Sequence, residues 1–309
     1  MNFIDIASHQ TGINLEKMFS KNPLDGVIVK ATGGTSYKNP EFDGWARWLY
    51  ENRKFMGAYH YCRELTGNAG TPEAEARHFY NAVKPYIGNI VLAADFEADN
   101  SDAFQKGTAW LKEFLDALSD LSGVRPLVYC SQSVTQMFNF NEIVRSGYQL
   151  WMAQYATMNP VYGFQDKPWH GGSISPFVGY VIQQYTSMGY LEGWNNNLDF
   201  DKFFGGAEDW KALCSCGSEP PKDEPVVEPD VPEVPVERKK VNAKIIMDVL
   251  NGDYGVRSTR VKKLKAAGYD PDEVQRKINE LYSAAAKIQP TIKANKAYLE
   301  PLLKIVDTM

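Results

Sequence analysis

Short apolar runs recur along the first two hundred residues, and the early ones are separated by stretches with helical periodicity. The runs predict strands at Phe3–Ile6, Gly26–Ala31, Phe55–Tyr61, Ile90–Phe96, Pro126–Tyr129, Gln149–Gln154 and Tyr180–Gln184, with a short last one at Leu198–Phe200. Between them, Asn39–Asn52, Pro72–Val83 and Ala103–Leu121 place apolar residues at three- and four-residue steps, the spacing of a helix with one buried face. Near-continuous apolar strands alternating with helices imply a parallel sheet covered on its faces. Past about residue 147 the long helical patterns stop and strands and loops remain. The expected fold is therefore α/β: a modified (β/α) TIM-like barrel with helices mainly on the first five crossovers. A doubly wound open sheet is the alternative, and the absence of a GxGxxG turn weighs against a dinucleotide site.

The pattern breaks at "SEPPKDEPVVEPDVPEVPVE", residues 218–237, with six prolines and seven acids. Proline at that density blocks helices and favours extended polyproline II, and the acids repel one another. Residues 214–237 are expected to be a semi-rigid linker. Helical patterns then resume as "NAKIIMDVL", "STRVKKLKAA" ending at Gly268, and "DPDEVQRKINELYSAAAKI" with Asp270 as N-cap and Pro271 at the first helical position. The expected organisation is a barrel over 1–213, the linker, a small three-helix module over 238–288 and a helical tail over 289–309. Leu299, Leu302, Leu303 and Val306 fall on one side of that tail, which suits either the small core or self-association.

Charge sharpens the division. The net charge is −5, made of −6 over 1–217, −6 over 218–237 and +7 over 238–309. A basic end on an acidic chain points to two different partners. No run of about eighteen apolar residues predicts a membrane span, and the N-terminus "MNFIDIASHQ" lacks the basic and apolar regions of a signal peptide. Cys62, Cys130, Cys214 and Cys216 have no disulfide or zinc spacing and are expected to be free thiols. No metal or other cofactor is expected.

The chemistry is concentrated in "NIVLAADFEADN". In a strand, residues i and i+2 share a face, roughly 6–7 Å apart. Asp95 and Glu97 at the end of a barrel strand would therefore point together into the cup at its C-terminal mouth. Neighbouring carboxylates push their proton affinities apart, leaving one acid and one anion, the equipment for breaking a glycosidic bond. A D-x-E pair can also be a mere polar strand end or helix cap. Asp5 in "FIDI" and Asp199 in "LDFDKFF" would bring two further acids to the same mouth. Aromatic and amide side chains at strand ends, namely Tyr59, Tyr61, Tyr129, Trp151, Gln154, Tyr155 and Gln184, would supply ring faces and hydrogen bonds for sugars. His60, on the strand in "AYHY", is a further candidate for the cup.

In order and spacing, "FIDIASHQ", "GVIVKATGGTSYKNPEF", "GAYHYC", "VLAADFE", "PLVYCSQ", "LWMAQY" and "QQYTSMGYLEGWNNNLDFDKF" resemble glycoside hydrolase family 25, the Chalaropsis-type lysozymes, along nearly all of residues 3–205. The resemblance implies a modified β/α barrel that cleaves the β-1,4 bond after N-acetylmuramic acid in peptidoglycan. It implies Glu97 as general acid and then base, and Asp95 as the group that orients the substrate's own N-acetyl group as nucleophile. Configuration is then retained without a glycosyl-enzyme ester. Asp5 and Asp199 would support the site. Gly33 departs from the pattern, since many relatives carry glutamate there.

Residues 245–281 resemble the CW-seven cell-wall-binding repeat of phage lysins through "GDYG", Arg257, "AAGYD" and "VQRKIN". This implies binding to peptidoglycan through Asp253, Tyr254 and Arg257, and a module of +7 suits a wall bearing carboxylates and phosphates. Three basic helices could instead read nucleic acid, a role with no use beside a lytic domain. The reading is an endolysin held in the host cytoplasm until release, with no membrane insertion and no nucleic-acid partner. The rivals are a bacterial autolysin of the same chemistry and a non-catalytic peptidoglycan-binding lectin.

Overall fold

A computed structural model describes residues 1–63, 70–98, 101–215, 238–250, 253–254, 257–271, 273–278 and 280. The chain divides into two compact units, Met1–Pro220 and Pro221–Met309. The expected linker core and the 289–309 tail lie outside the described residues.

In the first unit the elements run β1 (Asn2–Ile6), α1 (Leu15–Lys21), β2 (Gly26–Gly33), β3 (Tyr37–Lys38), α2 (Phe42–Glu51), β4 (Phe55–Tyr61), α3 (Pro72–Val83), β5 (Ile90–Asp95), α4 (Asp102–Lys106), α5 (Thr108–Ser122), β6 (Leu127–Ser131), α6 (Asn141–Arg145), β7 (Gln149–Ala153), β8 (Val161–Tyr162), β9 (Tyr180–Tyr190), β10 (Leu198–Phe203) and α7 (Ala207–Cys214). Eight strands close a barrel in the order β1-β2-β4-β5-β6-β7-β9-β10, with β10 returning to β1. Helices occupy the first five crossovers. One expectation is corrected: the sheet is not parallel throughout. Strand β10 runs antiparallel to both β9 and β1, because residues 191–197 are too few for a crossover helix and turn the chain straight back.

Strand alternation builds two cores. Ile4, Ile6, Val27, Val29, Ala58, Leu92, Ala94, Val128 and Leu150 point outward and are buried under the helix layer. Phe3 points inward and fills the barrel floor, where it stacks on Trp210 of α7 at 4.1 Å. Phe203 packs edge-on against Trp210 at 5.1 Å. A Cβ on Gly26 would lie 2.2 Å from the Phe3 ring and 2.4 Å from the Phe55 carbonyl oxygen, so only glycine admits this plug. The sequence pattern missed α1, α6 and α7, of five to eight residues each, along with the two-residue strands β3 and β8. It also merged α4 and α5, which Gly107 separates at φ 70°. Helix α3 matches its expected bounds: the Thr71 hydroxyl accepts from Ala74 N–H at 3.2 Å and Pro72 takes the first turn.

Cys62, Cys130 and Cys214 are buried free thiols, and Cys216 lies outside the described residues. Burial pushes the Cys214 thiol up to about 12, where it is unreactive at neutral pH.

In the second unit, α8 (Ala243–Leu250) and α9 (Arg257–Ala266) precede a further helical stretch at residues 273–278. Gly268 ends α9 at φ +86°, and the Asp270 carboxylate accepts from the Glu273 N–H at 3.4 Å as an N-cap. Val241, Ile245, Ile246, Val249, Leu264, Val274 and Ile278 form its buried apolar set. Asp253 is exposed and Tyr254 partly so, while the Arg257 side chain lies outside the described residues. No helix among the described residues is long and apolar enough to cross a membrane.

Candidate active site

Each parallel strand delivers its last inward side chains to the C-terminal mouth, and β10, running the other way, delivers its first. At that mouth a hollow of about 200 Å³ is lined by Asp5, Tyr59, Asp95, Glu97, Tyr129, Trp151, Tyr155, Gln184 and Asp199. Register explains the convergence: Asp5 lies opposite Asp199, Tyr61 opposite Asp95, Asp95 beside Tyr129, and Tyr129 beside Trp151.

Asp95 is the last residue of β5 and is buried, whereas Glu97 lies just beyond the strand and is exposed to the hollow. Phe96 between them faces the opposite way, packing on Phe104 at 5.1 Å and Phe138 at 5.8 Å. The two carboxyls hydrogen-bond to each other, which requires a shared proton. Asp95 Oδ1 is buried with no donor among the described residues. Burial, then the Glu97 charge, holds the Asp95 carboxyl well above the usual carboxylate range, while the Lys30 ammonium pulls the other way.

A donor network braces the opposite wall. Tyr129 Oη donates to Gln184 Oε1 at 2.9 Å, Tyr155 Oη donates to the same oxygen, and Gln184 Nε2 donates to Asp5 Oδ2 at 2.7 Å. Burial, then the Asp201 charge, raises the Asp5 carboxyl well above the ordinary range. Burial foremost, with the neighbouring acids of the hollow adding to it, pushes Asp199 up to about 8. The Tyr59 and Tyr129 phenols are likewise raised, chiefly by burial, so both stay hydrogen-bond donors at any physiological pH. Trp151 meets Tyr129 edge-on at 4.6 Å and Tyr59 at 6.2 Å, fixing the ring wall.

Three expected candidates stand elsewhere. Gln154 faces away from the hollow, because Trp151 and Tyr155 take the inward positions. Its amide exchanges two hydrogen bonds with Gly171, at 2.6 and 2.9 Å, and so holds the loop before β9. Tyr61 lies on the inward face but outside the hollow's lining, with its ring 4.5 Å from the Lys30 Nζ. His60 alternates outward from Tyr59 and Tyr61. It is fully buried in the helix layer, with Nδ1 2.9 Å from Thr32 Oγ1 and Nε2 2.9 Å from Glu75 Oε2. Glu75 Oε2 also accepts the Arg63 N–H at 2.7 Å, tying the end of β4 to α3.

Sequence reasoning missed two charged groups that act on the cup from outside its lining, Lys30 and Asp201. The signal for Asp201 was present: it shares a strand face with Asp199 two residues earlier. Lys30 likewise lies two residues beyond Ile28 on the inward face of β2. Among the described residues no cluster of metal-ligating side chains occurs.

Residues 4–194 match glycosyl hydrolases family 25, and residues 243–282 match the CW_7 repeat. The chain is 26% identical over 282 residues to a lysozyme of Streptococcus phage Cp-7, spanning 90% of this chain and 69% of that protein. It is 32% identical over 143 residues to the N,O-diacetylmuramidase of Chalaropsis sp, spanning 42% of this chain and 65% of that protein. A muramidase structure from Acremonium alcalophilum superposes with a TM-score of 0.56 at 20% identity, over 69% of this chain and 98% of that one.

Proposed function

The chain belongs to glycosyl hydrolases family 25, and on that premise we propose how its cup breaks a sugar chain. The protein is a peptidoglycan hydrolase, an N-acetylmuramidase that cleaves the β-1,4 bond between N-acetylmuramic acid and N-acetylglucosamine, with a CW_7 repeat directing it to the cell wall. The observation that carries the assignment of roles is the juxtaposition of a buried and an exposed carboxyl at one strand end, both lining the hollow. In the free cup the pair's shared proton rests on the drier Asp95. When the sugar's N-acetyl group enters, its amide N–H needs an acceptor, and an ionised Asp95 supplies one. The proton then passes to Glu97, which delivers it to the departing glycosidic oxygen. The N-acetyl carbonyl oxygen attacks the anomeric carbon from the other face as Asp95 steadies the amide. Water, deprotonated by Glu97, opens the resulting ring with retention. The usual rule relating carboxylate separation to stereochemistry does not apply to such assisted chemistry.

Asp5 and Asp199 close the hollow around the reacting sugar, and Tyr59, Tyr129, Trp151, Tyr155 and Gln184 give it ring faces and hydrogen bonds. In the second unit, Asp253, Tyr254 and Arg257 are the wall contacts we favour. The phage relative supports an endolysin that waits in the host cytoplasm and reaches the wall once the membrane is opened. Residues 289–309 are proposed to join copies and raise avidity; a monomeric mass in light scattering would count against that.

The test is Glu97→Gln in the full chain, assayed on purified walls. Lysis should fall by about 10²- to 10⁴-fold while sedimentation with walls is unchanged. Full lytic activity in this variant removes the assignment, and wild-type protein that binds without cleaving would favour a lectin. Mass spectrometry of the digest should show muramic acid, not glucosamine, at the new reducing ends.

A further inference from the structure

Beneath the cup lies a carboxyl that the roles above leave unused. Asp201 is fully buried. The Trp151 indole N–H donates to its Oδ1 at 2.8 Å. Its Oδ2 is buried with no N–H or hydroxyl donor among the described residues. The group that meets Asp201 is the Asp5 carboxyl, two residues along the neighbouring strand from Asp201's register partner Phe3. The two are hydrogen-bonded, and two carboxyls can do this only when one is an acid.

Crowding decides which one: Asp5 lines the hollow together with Asp95, Glu97 and Asp199, so a charge on it meets the most repulsion, whereas Asp201 lies outside that lining. The Gln184 amide oxygen accepts from the phenols of Tyr129 and Tyr155, and its nitrogen donates to Asp5 Oδ2. Asp5 Oδ2 is therefore an acceptor, so a proton on Asp5 sits on its other oxygen. On the far side, Asp201 already accepts from Trp151, as an anion does best. The network is one-way, from the phenols through Gln184 and Asp5 to Asp201.

We propose that Asp201 is a positioning residue for the hydrolysis: it accepts the proton-bearing side of Asp5, so the pair's single negative charge lies at the sealed floor and Asp5 shows the sugar a neutral carboxyl. Two charges on adjacent buried carboxyls would be costly, and one shared proton removes that cost. The surroundings enforce it. Asp199 faces Asp5 from the same strand as Asp201, and Glu97 and Asp95 approach from the end of β5. The phenols of Tyr59, Tyr129 and Tyr155 complete the ring. Lys30 of β2 brings a cation's charge to this cluster, through Asp95. Were Asp5 ionised, its charge would tighten the Asp95–Glu97 pair's hold on its proton. Asp201 thus sets the pH at which the catalytic pair works. This rests on the roles proposed for Asp95 and Glu97.

Asp201→Asn in the full chain tests it. Asparagine keeps an acceptor for Trp151 and offers an N–H to Asp5, which then ionises. The pH profile of kcat/KM on soluble muropeptides should move up by about one pH unit, about tenfold less activity on the acid limb and tenfold more on the alkaline limb. The Asp5→Asn/Asp201→Asn double variant should keep the profile of Asp5→Asn alone. An unmoved profile in Asp201→Asn overturns the proposal, whereas an active Glu97→Gln would instead overturn the catalytic roles. A second measurement needs neither activity nor a folded variant. In wild type with carbon-13 at the aspartate carboxyls, the Asp5 resonance at pH 7 should lie at the protonated position, and an ionised Asp5 also overturns the proposal.

Discussion

Neutralising Asp199 should make the barrel more stable, and only where the wild-type carboxyl would otherwise ionise. In the folded cup, burial foremost raises this carboxyl from the ordinary 3.8 to about 8. A raised acid favours its protonated form in the fold. Its stabilising contribution is therefore complete below pH 3.8 and is lost as pH rises through about 8. At about 1.4 kcal/mol per pH unit the gap corresponds to a ceiling of about 6 kcal/mol. Relaxation and water at the group's open edge reduce that, and we expect about 2–3 kcal/mol. Asp199→Asn mimics the neutral acid at every pH. It should match wild type near pH 3.5 and exceed it by that amount at pH 9. Urea unfolding followed by tryptophan fluorescence measures it cleanly, since all seven tryptophans lie between residues 45 and 210 and report on the first unit. A gain of equal size at both pH values, or none at pH 9, would refute the electrostatic reasoning. Lysis should fall in the same variant, because the acid cluster sacrifices stability for the site.

Three further outcomes follow from the packing and the chain's division. Trp210→Ala should destabilise the barrel by about 3–5 kcal/mol, since it removes the ring that stacks on Phe3 and closes the floor; a loss under 1 kcal/mol in urea unfolding would contradict the plug. Gly26→Ala should cost about 1–3 kcal/mol from overpacking, as its methyl would meet the Phe3 ring and the Phe55 carbonyl; an unshifted midpoint would count against that geometry. Removing residues 221–309 should leave cleavage of soluble muropeptides intact and reduce lysis of whole cells, and equal activity on cells would remove the targeting role of the second unit.

The alternation of apolar runs and helical periods was enough to give the barrel strands, the helices of the three middle crossovers and the place of the acids, because strand burial and the two-residue period are written locally in residue types. The same period put Asp95 and Glu97 on one face, and the family motifs tied Asp5 and Asp199 to them. Other features are not local. Strand β10 reverses direction because of a connection's length, and α7 counts only because its Trp210 meets Phe3 from the far end of the chain. Alternation alone, applied to β4 and β7, already excludes His60 and Gln154 from the cup once the inward residues are known, yet which face is inward is decided by closure of the barrel. That Asp201 lies under Asp5, and that one donor network joins four strands to it, depends on register between segments some two hundred residues apart. Residue types fix which groups are present; only the closed barrel fixes which of them must share a proton.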